Sequence, residues 1–181
     1  MKRIINSCFL VFSILLCIVH PLKSNGNKVI LSFEEKTKDF IKPMIEKFEG
    51  VRLKAYKCPS GVPTIGIGST RYKDGRFVKM GDLITVDEMN DLYEFTIEET
   101  KKQLDELIKV DLPEYQEAAL ISFLYNVGYH NFKKSRLLKK VNIDPNDLDI
   151  ENEFMKWVFS KGKKLKGLEI RRTEELKLYF T

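Results

Sequence analysis

The helical periodicity of the chain breaks at Gly50, and that break limits the folds open to it. From Lys38 onward Phe40, Ile41, Met44, Ile45 and Phe48 recur at helical spacing and then stop, which predicts a helix with Glu49 near its last turn. A succession of turn residues follows: Gly50, Pro59-Ser60-Gly61, Pro63, Gly66, Gly68, Asp74-Gly75 and Gly81. Between them stand Tyr56, Val62, Thr64, Ile65 and Ile67. Short β-prone pieces between such turns predict a small antiparallel sheet over about residues 52 to 80.

Helical order returns at Thr85-Val86-Asp87-Glu88, a capping box in which Thr85 caps and Glu88 reaches back. It opens a long amphipathic helix carrying Met89, Leu92, Ile97, Leu104, Leu107 and Ile108, expected to bridge two lobes. Pro113 suits the N1 position of the next helix, Ala118 to Val127 is strongly apolar, and Gly128 supplies a C-terminal stop, so this helix should be buried. Ser135, Asp149 and Gly167 precede or begin three further short helices, the second bearing Phe154 and Trp157. The expected class is α+β: an N-terminal helix plus a small antiparallel sheet lobe, joined by a long helix to a helical lobe, with a cleft between.

The first 24 residues stand apart. Lys2-Arg3, a nearly unbroken apolar stretch from Cys8 to Val19, and a polar exit through His20-Pro21 to Ser24 have the order of a secretory signal. Its apolar core of about 12 residues falls short of the roughly 20 that span a bilayer, which favours a cleaved signal over a permanent anchor. A released signal anchor is the alternative, and in that form Cys8 or Cys17 could pair with Cys58. The expected division is therefore 1–24 signal peptide or signal anchor, 25–37 polar linker and 38–181 a single domain, exported to the periplasm or beyond, monomeric, and touching membrane only through its N-terminal segment.

Charge and cysteine usage narrow the chemistry. The net charge is +5, but Lys2, Arg3 and Lys23 lie in the leader without an acid, so the remainder is only mildly basic. Positive charge gathers late, with eight Lys/Arg against three Glu from Lys156 to Lys177 and a second cluster at Lys133, Lys134, Arg136, Lys139 and Lys140. Such a surface suits a polyanion, either nucleic acid or an anionic cell wall, or is a set of solvated helix faces. Cleavage would leave Cys58 as a lone thiol, which argues against a disulfide scaffold. With only His20 and His130 and no cysteine pair at ligand spacing, neither a metal nor a cofactor is expected.

The stretch from Phe48 to Thr70 carries the functional information. Glu49-Gly50-Val51-Arg52-Leu53-Lys54-Ala55-Tyr56, then Cys58 nine residues after the Glu, then Thr64 fifteen after it in Thr64-Ile65-Gly66-Ile67-Gly68, resembles the signature of glycoside hydrolase family 24, the phage-type lysozymes or endolysins. Two later blocks are similar to the same family: Ser122-Phe123-Leu124-Tyr125-Asn126-Val127-Gly128 running on to Ser135-Arg136-Leu137-Leu138-Lys139, and Trp157 with Gly162, Gly167-Leu168 and Arg171-Arg172. The resemblance implies a lysozyme-like fold and hydrolysis of the β-1,4 bond between N-acetylmuramic acid and N-acetylglucosamine in peptidoglycan. It implies Glu49 as general acid, Cys58 at the second catalytic position, Thr64 orienting the hydrolytic water, and Arg171 or Arg172 approaching Glu49. Ser69 departs from the family, where many members carry His, so no imidazole is expected beside the cleft.

The chemistry agrees. Glycoside hydrolysis needs a carboxylic acid that keeps its proton near neutral pH, and burial among apolar neighbours favours the protonated form. Phe48, Val51 and Leu53 are the expected shield. Cys58 could hold or activate water, or as thiolate stabilise or attack the sugar, and the sequence does not choose among these. A lytic transglycosylase is the rival enzyme. A nucleic-acid binder lacks a basic motif interleaved with aromatics and conflicts with the leader. A catalytically dead wall-binding relative would be expected to have lost Glu49 or Thr64.

Overall fold

The computed structural model describes residues 40–58 and 61–181. The signal and linker expected over residues 1–37 lie outside the described residues.

The first helix, α1, runs over residues 40–49 and buries Ile41 and Ile45 completely. Beyond Gly50 come β1 (Arg52–Lys57) and β2 (Pro63–Gly66), antiparallel with Tyr56 opposite Thr64 and Lys57 opposite Pro63. A register shift between Arg52 and Tyr56 bends β1, and isolated bridges Lys54 to Leu83, Ile65 to Ser69 and Arg71 to Phe77 extend the small lobe. Its core is small: Ala55, Ile65, Val78 and Leu92.

Leu92 belongs to α2 (Val86–Leu107), which begins with both halves of the Thr85/Glu88 capping box formed. The same helix sends Met89, Tyr93, Ile97, Leu104 and Leu107 into the main core, so it does bridge the lobes as the pattern required. At 22 residues it is about 33 Å long. The main core is centred on α3 (Glu114–Val127), whose residues from Gln116 to Leu124 are buried without a break. Phe123 meets Phe132, Phe154 and Trp157 edge to face, with ring centroids 5.9, 5.0 and 5.6 Å away. Around α3 pack α4 (Tyr129–Lys134), α5 (Arg136–Val141), α6 (Ile150–Met155) and α7 (Lys166–Tyr179).

Several local expectations shift. Pro113 caps α3 with an extended ψ of 157° instead of occupying N1, and its carbonyl accepts the Glu117 N–H. Gly128, at φ +79°, both ends α3 and starts α4, a helix that the polar run Tyr129-His130-Asn131 concealed. Trp157 lies just beyond the end of α6. Lys166 rather than Gly167 opens α7, a helix of 14 residues. A hairpin of β3 (Phe159–Ser160) and β4 (Lys163–Lys164) fills the gap, turning through Lys161 and Gly162 at positive φ. Two cations of the late basic cluster, Arg171 and Arg172, are buried and therefore not part of a solvated face.

Candidate active site

Glu49 is the last helical residue of α1. Gly50, at φ +69°, turns the chain into β1 while its N–H closes the helix on the Glu46 carbonyl at 3.0 Å. The Glu49 side chain stays 23% exposed, and Oε1 accepts a hydrogen bond from Arg171 Nη1 at 2.5 Å. Arg171 is locked in place: Nη2 donates to the Ser122 carbonyl and Nε to Glu175 Oε1, each at 3.1 Å, and the guanidinium lies 5.3 Å from the Phe48 ring centre. Of the two arginines that the motif offered, Arg171 is thus the one at Glu49. Arg172 turns into the core, donating to Asn126 Oδ1 at 3.0 Å and stacking 4.5 Å over the Phe123 ring.

Gly68 forms the opposite flank. A Cβ at this position would come within 3.3 Å of the Tyr125 hydroxyl and 3.4 Å of Glu49 Oε2, and φ is +91°. Only glycine lets the backbone after β2 lie directly on the carboxyl. The Tyr125 hydroxyl donates to the Ile67 carbonyl, which ties that loop to α3. Burial, reinforced by the Glu49 carboxylate and opposed by Arg171, pushes the Tyr125 phenol well up, so it remains a neutral donor. Ser69, in the position where an imidazole was not expected, is buried and fastens the loop, exchanging backbone hydrogen bonds with Ile65 and placing Oγ 3.3 Å from the Thr96 hydroxyl.

Gly68→Ala is expected to cost about 1–3 kcal/mol through the left-handed backbone, measured by urea unfolding. The added methyl would also press on the Glu49 carboxyl and the Tyr125 hydroxyl.

The sheet presents the other two expected site residues. Ala55 and Ile65 turn toward the small core, so alternation puts Tyr56, with Thr64 opposite it, on the other face, and Cys58 follows directly after β1. Burial and then the Glu49 carboxylate raise the Tyr56 phenol, Arg52 stacked 4.6 Å over its ring opposes them, and Cys58 adds to the rise. Tyr56 therefore feels both Glu49 and Cys58. Cys58 is half-buried, its N–H on the Val62 carbonyl at 3.0 Å and its carbonyl accepting from Gly61 at 2.8 Å. Thr64 is buried, and its hydroxyl donates to the Val62 carbonyl at 3.0 Å, which leaves the oxygen free to accept.

One expectation fails. Val51 is 52% exposed and Leu53 37%, so they do not shield Glu49. The turn at Gly50 and the bend in β1 direct them outward, and the flanks of the carboxyl are Gly68, Tyr125 and Phe48 with its arginine. Tyr125 and Gly68 stood in the quoted motifs without a role. A tyrosine inside an apolar helix needs a partner for its hydroxyl, and that was the signal available for Tyr125. Glu175 went unread, although an acid three and four residues after Arg172 and Arg171 is a helix-face pairing pattern. Among the described residues no group of three His, Cys, Asp or Glu is placed to hold a metal ion.

The phage lysozyme family model matches residues 46–175. A SAR-endolysin of Bacteriophage PS119 is 38% identical over 130 residues, which are 70% of this chain and 73% of that protein. Among solved structures, the endolysin from Escherichia coli O157:H7 phage FAHEc1 superposes with a TM-score of 0.67 at 33% identity, covering 76% of this chain and 88% of the other. A mutant of P22 lysozyme superposes with a TM-score of 0.66 at 30% identity, covering 79% and 96%.

Proposed function

The chain belongs to the phage lysozyme family, and from that premise we propose that Glu49 is its general acid, Cys58 its second catalytic group and Thr64 the residue that orients the attacking water. The activity is that of a muramidase, a glycosidase that hydrolyses peptidoglycan and lyses cell walls. The observation that supports the residue roles best is the setting of Glu49: a partly open carboxyl at a helix end, gripped by a buried arginine, with Tyr56 near enough to feel the charge of both Glu49 and Cys58.

In this reading Glu49 gives its proton to the glycosidic oxygen as the bond to the anomeric carbon breaks, and water completes the break by bonding to that carbon. Thr64 holds the water through its free lone pairs. Cys58 faces the positive charge that develops on the sugar, as thiolate beside it, as nucleophile, or as the thiol that holds the water. The anomeric configuration of the fresh reducing end separates attack by sulfur, which retains configuration through two inversions, from direct attack by water, which inverts it. Zymography on purified peptidoglycan with product analysis tests the whole reading: a reducing muramic acid end supports it, and an anhydro-sugar end would favour a transglycosylase.

Cys58→Asp is expected to keep much of the activity and Cys58→Ser to lower it, because a carboxylate can carry the charge or bind the water and a hydroxyl does so less well. Parental activity in Cys58→Ala, read in the same turbidity assay, would reduce the thiol to a packing role.

A peptidoglycan substrate requires export, and names such as SAR-endolysin among the relatives support a route out through the N-terminal segment. We assign residues 1–24 that task, with removal near Ser24 as the favoured state and a released signal anchor as the alternative. The mass of the exported protein decides between them.

A further inference from the structure

Behind Arg171 the network continues into the core. Glu175 has no exposed side-chain surface, and around it stand Arg171 Nε at 3.1 Å, Arg172 Nη2 at 3.1 Å and Nε at 2.8 Å, and the Ser122 hydroxyl, which donates at 2.8 Å. Burial lifts the Glu175 carboxyl above its ordinary value, against the pull of Arg172, Arg171 and Ser122. We propose that Glu175 is a positioning residue for the reaction, dividing the Arg171 guanidinium between two carboxylates and so governing how readily Glu49 keeps its proton. The inference rests on the reading of Glu49 as general acid.

Buried ion clusters are poor stabilisers, since desolvation costs about as much as attraction returns and apolar replacements often do as well. Two arginines and a glutamate sealed beside a glycosidase's acid are better explained by what they do to that acid. Arg171 alone would grip Glu49 with a full charge and oppose the protonated form that catalysis needs. Glu175 draws on the same guanidinium from its other edge. With Glu175 ionised, two cations and one anion stand behind Glu49, one net positive charge, where loss of Glu175 would leave two. Glu175 also fixes geometry: with the Ser122 carbonyl on Nη2 and Glu175 on Nε, only Nη1 of Arg171 is directed at Glu49. The other titratable groups facing Glu49, Tyr125 from α3 and Tyr56 from β1, are phenols that stay neutral where the enzyme works.

Two substitutions should act with opposite sign. Glu175→Gln, which adds one net positive charge behind Glu49, should move the alkaline limb of the kcat/KM profile down by about one pH unit. Arg172→Met keeps an apolar contact over Phe123 but removes a cation, and should move the limb up. Carbon NMR of the Glu49 carboxyl, which needs no activity, should titrate with the same opposite signs. It also reads the parent protein, where Glu175 must remain ionised across the range in which Glu49 titrates. A neutral Glu175 in that range, or limbs that stay fixed while both variants merely lose activity, overturns the proposal. An active Glu49→Gln would instead overturn the reading of the acid and leave the NMR result standing.

Discussion

Glu49→Gln is expected to abolish lysis of purified peptidoglycan while leaving the fold intact. The amide keeps the shape of the acid and still offers an oxygen to Arg171 Nη1, so α1 stays docked on α7. In the proposed role it loses the proton that the leaving oxygen requires, and removing a general acid costs typically 10²–10⁴-fold. The two phenols that feel Glu49 are poor substitutes. Tyr125 spends its hydroxyl on the Ile67 carbonyl, and Tyr56, the other hydroxyl near Glu49, has a phenol pushed above its ordinary value. A turbidity assay with circular dichroism on the same sample checks both halves, and a folded variant that lyses walls at the parental rate would refute the role.

The largest effect on stability is expected from Phe123→Ala. The ring is fully buried, meets three aromatic side chains edge to face and carries the Arg172 guanidinium on its face. Truncation removes that transfer energy and leaves a cavity that α3, buried on all sides, cannot collapse around, for a cost of about 3–5 kcal/mol. At about 2–4 °C per kcal/mol for a protein of this size, the melting temperature should fall by about 10 °C. Calorimetry decides it: a loss below about 1 kcal/mol would mean that the ring is not the keystone of the helical lobe.

The sequence was most readable where one residue type has one physical use. Thr85 and Glu88 formed their box, Gly128 stopped α3, and Gly50 ended α1 with Glu49 in its last position. Those signals are local, and so was the resemblance that singled out Glu49, Cys58 and Thr64. The α+β order with α2 between two cores also followed from pattern alone. What escaped was set by distance along the chain. Val51 and Leu53 sit beside Glu49 in sequence, yet a turn and a bulge carry them away, whereas the carboxyl is flanked by Gly68 and Tyr125. The role of Glu175 required knowing that α3 and α7 press a serine and two arginines around it. Arg171 and Arg172 were counted with the late basic cluster, for which a solvated face was one reading, because a run of charge does not show the partners that allow burial.

Glu49 and Arg171 are 122 positions apart, and the bond between them joins the first described helix to the last. A chain leaving the ribosome presents α1, the sheet lobe and α2 before α7 exists, so this loop can close only when synthesis is nearly done. The nascent enzyme therefore holds its acid without its arginine, and α1 without the helix that Glu49 docks against. A truncated or stalled chain would display the whole Glu49-to-Thr64 motif and still lack the Arg171 contact. The contact at Glu49 thus waits on the synthesis of α7, the last described helix of the chain.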